Sequence, residues 1–176
     1  MGNDAMMKSE GRALSGARFL FPLALALFAL LWHTTRPCIA VYAESTPIAS
    51  CPADTGTEFS TRFIHSVQKT PVEEFFTVND ARNGFLLRRT RYHSFGVGLP
   101  FLETDGTFRQ EGDAFVMDGM DRPMREIQLR PGVSTGLTLY LADEEIPLCE
   151  RVPPGSLVRI AIVPRWRLLT DSFRFS

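Results

Sequence analysis

The sequence has only two lysines, three histidines and three cysteines in 176 residues, and its formal net charge is -1. A chain so close to neutrality offers no bulk electrostatic reason for a nucleic-acid partner. Its basic residues are seventeen arginines spread along the length. The densest run, RRTR at 88 to 91, divides its charges between two faces if a regular strand carries it. Chemical signatures are missing too: there is no GxSxG elbow, no third glycine to complete a dinucleotide loop and no ligand spacing of a zinc site. No catalytic set is complete, and neither a cofactor nor a metal is expected.

Helical periodicity is scarce as well, since no amphipathic helix of useful length appears beyond a possible turn near Met124 to Leu129. There is no repeat, low-complexity block or linker. With 44% hydrophobic and 22% charged residues, the composition is that of one globular domain rather than two.

What is present begins at the N-terminus. Lys8, Arg12 and Arg18 precede FLFPLALALFALLW at 19 to 32, an uncharged apolar run of 14 residues. That order is the charged and apolar part of an export signal, and the run is short beside the roughly 20 residues of a spanning helix. Residues 1 to 36 therefore read as an export signal or membrane anchor, with the rest outside the cytoplasmic membrane, periplasmic or anchored to its outer face. Small-residue cleavage points fall after Ala43 (VYA) and after Ala40 (CIA), yet CIAVYA also has the character of a first strand. Cleavage after Ala43 leaves Cys51 and Cys149 free to pair. If the strand stays, a two-residue Glu44-Ser45 turn sets Cys38 opposite Cys51; free thiols are the third alternative.

Residues 37 to 176 form the single β-domain. Short β-prone runs fall at 38 to 43, 47 to 51, 57 to 67, 72 to 79, 85 to 93, 107 to 110, 113 to 118, 124 to 130, 135 to 142, 145 to 150 and 157 to 164. Asn83-Gly84, Asp105-Gly106, Glu111-Gly112, Asp118-Gly119, Asp143-Glu144 and Pro153-Pro154-Gly155 separate several of them, with the chemistry of tight turns. This pattern predicts an all-β fold, an antiparallel sandwich or small barrel built from hairpins. The tail PRWRLLTDSFRFS reads as a last strand closing the sheet.

Two stretches stand out. In EFSTRFIHSVQKTPVEEFFTVN, alternation puts Phe59, Thr61, Phe63, His65 and Val67 on one face and matches them to Val72, Glu74, Phe76 and Val78. A four-residue loop at 68 to 71 pairs Val67 with Val72, and so places His65 opposite Glu74 and Phe63 opposite Phe76. An imidazole and a carboxylate facing each other satisfy both partners. The pair is either a register-fixing structural contact or a dyad awaiting a nucleophile, metal or ligand. Ser66 points to the other face, so Ser94 is the serine that could complete a triad, and His93 is the third residue for a metal. The second stretch, SFGVGLP at 94 to 100, has Gly96 and Gly98 for positive φ or close approach and Pro100 to block a regular helix start. It is a tight connection or an exposed loop that receives a ligand carboxylate or a partner chain.

Together HSVQKTPVEEFF and SFGVGLP resemble the bacterial domain-of-unknown-function family eighteen-fifty, over about Cys38 to Pro164. The pattern falls on His65, Ser66, Val67, Pro71, Glu74, Gly96, Gly98 and Pro100, with valine at 97 where alanine is common. The resemblance implies a small exported or membrane-anchored β-domain, often encoded beside the permease of TAXI-type TRAP transporters, and it favours retention of CIAVYA. No biochemical activity comes with it. The expected function is a non-enzymatic accessory domain docking on such a transporter's permease or solute-binding protein. The alternatives are a serine hydrolase using Ser94, His65 and Glu74, or a small-ligand or metal-binding domain at the same rim.

Overall fold

The computed structural model describes residues 10–93 and 106–173. It divides between Arg36 and Pro37 into two units. The first holds one helix, α1 (Glu10–Thr35), which carries Pro22 inside it. From Leu20 to Trp32 its large apolar side chains are exposed. Among the described residues, no helix is long and apolar enough to cross a membrane.

The second unit is an antiparallel β-sandwich. Its elements run β1 (Pro37–Ala43), β2 (Thr46–Pro52), β3 (Glu58–Ile64), β4 (Pro71–Val78), β5 (Phe85–Tyr92), β6 (Thr107–Glu111), β7 (Ala114–Met124), β8 (Glu126–Leu129), β9 (Thr138–Leu141), β10 (Glu144–Pro147), α2 (Leu148–Arg151), β11 (Val158–Pro164) and α3 (Trp166–Phe173). One sheet has four strands in the order β2-β1-β11-β8, the other seven in the order β10-β9-β3-β4-β5-β7-β6. The sandwich half of the expectation therefore holds, and two open sheets replace the barrel alternative.

The core lies between the sheets. Ile39, Val41, Ile127, Val158 and Ile160 of the smaller sheet pack against Phe59, Phe76, Phe85, Leu87 and Leu139 of the larger. Burying this apolar area is the main favourable term in folding. The opposite side of β1 is buried as well: Cys38, Ala40 and Tyr42 form a second cluster with Ala161 and Val163, and Leu168 of α3 covers it. A strand covered on both sides reads as an unbroken apolar run, which is why CIAVY does not alternate.

Four local expectations are corrected. The C-terminal tail forms α3 rather than a closing strand, because Leu168 and Asp171 face the smaller sheet three residues apart, with Tyr42 Oη donating to the Asp171 carboxylate at 3.1 Å. The strand predicted to end at Asp118 runs on to Met124, since Gly119 at φ 70° makes an irregularity inside β7 instead of a turn. The strand expected through Glu150 ends at Pro147 and yields to α2. Finally, Glu44 at φ 54° does make the two-residue turn, but a bulge between Val41 and Tyr42 slips the β1–β2 register by one. Ile39 then pairs with Cys51 and Cys38 with Pro52. A one-residue slip turns a side chain to the other face, so the Cys38–Cys51 juxtaposition is lost. Cys38, Cys51 and Cys149 are all free thiols.

Candidate functional site

The β3–β4 hairpin closes earlier than the sequence suggests. Ile64 pairs with Pro71, Thr61 with Glu74 and Phe59 with Phe76, so every partner of β4 is shifted by four residues from the expected register. Because the shift is even, the inward faces survive: Phe59, Thr61, Val72, Phe76 and Val78 are all buried. His65, however, leaves the strand and does not meet Glu74. Its Nδ1 accepts the N–H groups of Val67 at 3.3 Å and Gln68 at 3.2 Å, and its backbone N–H donates to Thr70 O at 2.9 Å. The imidazole thus caps a six-residue loop containing Lys69 at φ 55°, and Val67 is exposed instead of inward. Ser66 is exposed in the same loop.

Glu74 faces inward between two buried threonines, paired to Thr61 on one side and Thr90 on the other. Thr61 Oγ1 donates to its Oε2 at 3.4 Å. Burial pushes the Glu74 carboxyl above its ordinary value, opposed by the Thr61 hydrogen bond and the charge of Arg122. The folded chain therefore holds this proton more tightly than the unfolded chain does. Its stabilising contribution is complete below the ordinary carboxylate range and is lost as pH rises through the raised folded value. Glu74→Gln keeps an acceptor for Thr61 and removes the charge. It should gain on the order of 1 kcal/mol at neutral pH and flatten the loss of stability between mildly acidic and neutral pH. Urea melts of both proteins across that range would read it, and an unchanged slope would count against the buried carboxyl.

His93 Nδ1–H donates to Pro71 O at 3.3 Å, and its Nε2 lies 3.9 Å from Asp113. It joins neither His65 nor Glu74. Among the described residues, no group of three or more His, Cys, Asp or Glu is arranged to hold a metal. Ser94, Gly96, Gly98 and Pro100 lie outside the described residues. The imidazole–carboxylate pair on which both the triad and the metal alternatives depend is not formed.

The structure brings together a different set of side chains, on the outer face of the seven-stranded sheet. One row crosses five strands: Tyr140, Ser60, Phe75, Arg89 and Asp118 are successive cross-strand partners. They line a trough of about 930 Å³ together with Arg88. Arg88 is there because of a bulge. Pairing of β5 with both neighbours shifts at this position, so Leu87 and Thr90 are inward while Arg88 and Arg89 turn outward side by side. Arg91 also faces outward, at 3.5 Å from Glu73. RRTR is therefore not divided between two faces; all three guanidiniums share one. The phase change was present in the sequence, where Phe85 and Leu87 are odd and Thr90 and Tyr92 even.

Each trough arginine has a carboxylate from β7. Arg89 donates from Nε and Nη2 to the two Asp118 oxygens at 3.1 and 3.0 Å, and its guanidinium lies 5.7 Å from the Phe75 ring centroid. Asp118 also takes Arg109 at 3.1 Å and the Gly119 N–H at 3.0 Å, and these donors, Arg89 first, hold its carboxyl below the usual range. Arg88 pairs with Asp121. With Glu58 and Asp80 on the same lining, four carboxylates face two guanidiniums, an excess of two negative charges. The arrangement is a preformed polar surface with two aromatic side chains, suited to binding.

A family model described as Domain of unknown function (DUF1850) matches residues 59–148. No curated protein and no solved structure matches the chain. The matched span is narrower than the resemblance read from the sequence, and leaves out β1, β2, β11 and α3. It contains the trough row from Ser60 to Tyr140.

Proposed function

The chain belongs to the DUF1850 family, whose model matches the span holding the trough row from Ser60 to Tyr140, and we propose that it is a membrane-tethered, non-enzymatic accessory domain whose trough receives a partner. The partner expected from the family resemblance is the permease of a TAXI-type TRAP transporter or its solute-binding protein. The trough carries this reading. It is concave, it presents Phe75 and Tyr140 beside paired charges, and its negative excess favours a partner segment bearing arginine or lysine. Docking is assigned to this face rather than to the His65 loop, whose imidazole is occupied in holding its own turn.

Tethering is supported by β1. Both small-residue cleavage points follow residues of this strand, and Cys38 to Tyr42 are buried in the centre of the smaller sheet. Removal of the leader at either point removes part of the fold, so the apolar helix stays attached and the β-domain stands outside the cytoplasmic membrane. The 14-residue apolar run is short of a comfortable span. Local bilayer thinning accommodates a short anchor.

A photo-crosslinking amino acid at Tyr140 or at Val67, in membranes of cells carrying the cognate permease, tests the assignment. Capture of a transporter component is expected from position 140 and not from 67. Capture from 67 alone moves the interface to the hairpin, and capture from neither ends the docking reading.

A further inference from the structure

The C-terminal helix has one side committed and one side bare. Leu168 packs on the cluster of Cys38, Ala40, Tyr42, Ala161 and Val163, and Asp171 accepts the Tyr42 hydroxyl. On the other side Trp166 and Leu169, three residues apart, are 44% and 58% exposed. Arg167 is exposed with them and its guanidinium lies 5.7 Å from the Trp166 ring centroid. Exposed indole, leucine and guanidinium side by side are the chemistry of a lipid interface. The indole and leucine enter the headgroup and acyl boundary while the guanidinium stays with the phosphates.

The topology supplies the second observation. Pro37, where the chain from the apolar leader enters the β-domain, is the cross-strand partner of Pro164, and α3 begins two residues after Pro164. The entry point of the tether and the start of α3 therefore share one end of the β1–β11 pair. α3 also lies outside the span that the family model matches.

We infer that α3 is an interfacial helix that lies on an anionic phospholipid surface through Trp166, Leu169 and Arg167. The inference rests on the tethered reading of the leader, and it adds a second, superficial contact to that anchor. A basic residue is attracted to an anionic surface, and an anchor already attached makes the second contact intramolecular. Its consequence for function is that the β-domain is held at the membrane in one orientation.

The chain has two tryptophans, Trp32 in the leader and Trp166 in α3, so each can be read alone in the full-length protein. Trp32→Phe and Trp166→Phe variants are reconstituted into vesicles of phosphatidylcholine with brominated acyl chains, with or without phosphatidylglycerol. Far-UV circular dichroism checks the fold of each. Loss of most Trp166 emission in the phosphatidylglycerol vesicles is expected, with a smaller loss in phosphatidylcholine alone. Adding Arg167→Glu to the Trp32→Phe protein should restore the emission. If Trp32 is quenched and Trp166 is not, the leader is in the bilayer and α3 is not on it, which overturns the inference alone. A Trp166 that is shielded from aqueous iodide yet untouched by brominated lipid has a protein occupant, and overturns it likewise. If Trp32 is not quenched, the tethered reading falls and this inference with it.

Discussion

A chain that begins at Glu44 is expected to show no cooperative thermal transition, while one that begins at Pro37 melts as a folded domain. The difference is the seven residues of β1, which pair with β2 along one edge and β11 along the other. Ile39, Val41 and Tyr42 are 0%, 0% and 1% exposed, and full burial of such side chains stabilises by about 1.5–3 kcal/mol each. Three of them alone contribute about 5–9 kcal/mol on that scale, against a whole-domain stability of about 5–15 kcal/mol. Two hydrogen-bonded ladders go with them, β2 loses its only neighbour among the described strands, and α3 loses Tyr42. Calorimetry of the two proteins checks this directly. A cooperative melt from the shorter one would mean that β1 is dispensable, and the case for a retained leader would go with it.

Phe76→Ala should cost about 3–5 kcal/mol, the usual range for an aromatic removed from a packed core. Phe76 is 2% exposed and stacks on its cross-strand partner Phe59 with centroids 5.1 Å apart and planes at 17°. Phe59 in turn meets Phe85 edge-on, also at 5.1 Å. A denaturant melt measures the loss, and a double-mutant cycle with Phe59→Ala should return a coupling of about 0.5–1.5 kcal/mol for the ring pair. A coupling near zero would show that the stack is incidental to the register. The prediction bears on the hairpin as a whole, because it is this pair, with Thr61 beside Glu74, that distinguishes the observed register from the one that would have joined His65 to Glu74.

That hairpin shows what could be read from residues and what could not. Alternation assigned Phe59, Thr61, Val72, Phe76 and Val78 to the inside correctly, since side-chain period along a strand is a local property. It could not choose among registers differing by an even number, because all of them keep the same residues inside. The choice fell to the fit of opposed side chains and to the length of loop that His65 caps, and both depend on contacts across strands. The eleven strands among the described residues were legible for the same local reason, and two of the misreadings sit where a bulge intervenes. A bulge between Val41 and Tyr42 separated Cys38 from Cys51, and another at Arg88 gathered two arginines that strict alternation would divide. The candidate site was missed because it lies across strands distant in sequence. The run RRTR was read as a scattered surface charge instead of as the point where the apolar phase changes.

The tail was misread for a related reason. PRWRLLTDSF carries enough apolar residues for either a strand or one short amphipathic helix, and a window of eight residues does not decide between them. What decided was the uncovered side of the smaller sheet, where Cys38, Ala40, Tyr42, Ala161 and Val163 needed a cover that Leu168 supplies.

The amino-acid order by itself determined an all-β domain after an apolar leader, where most of its strands fall and which side of most of them faces inward, because each of these follows from local periodicity and turn chemistry. Tertiary structure decided the strand registers, the free state of the three thiols, the helix at the C-terminus and the row of side chains that forms the trough. These depend on which distant segments lie against one another, and that is set by the packing of two sheets around a shared core.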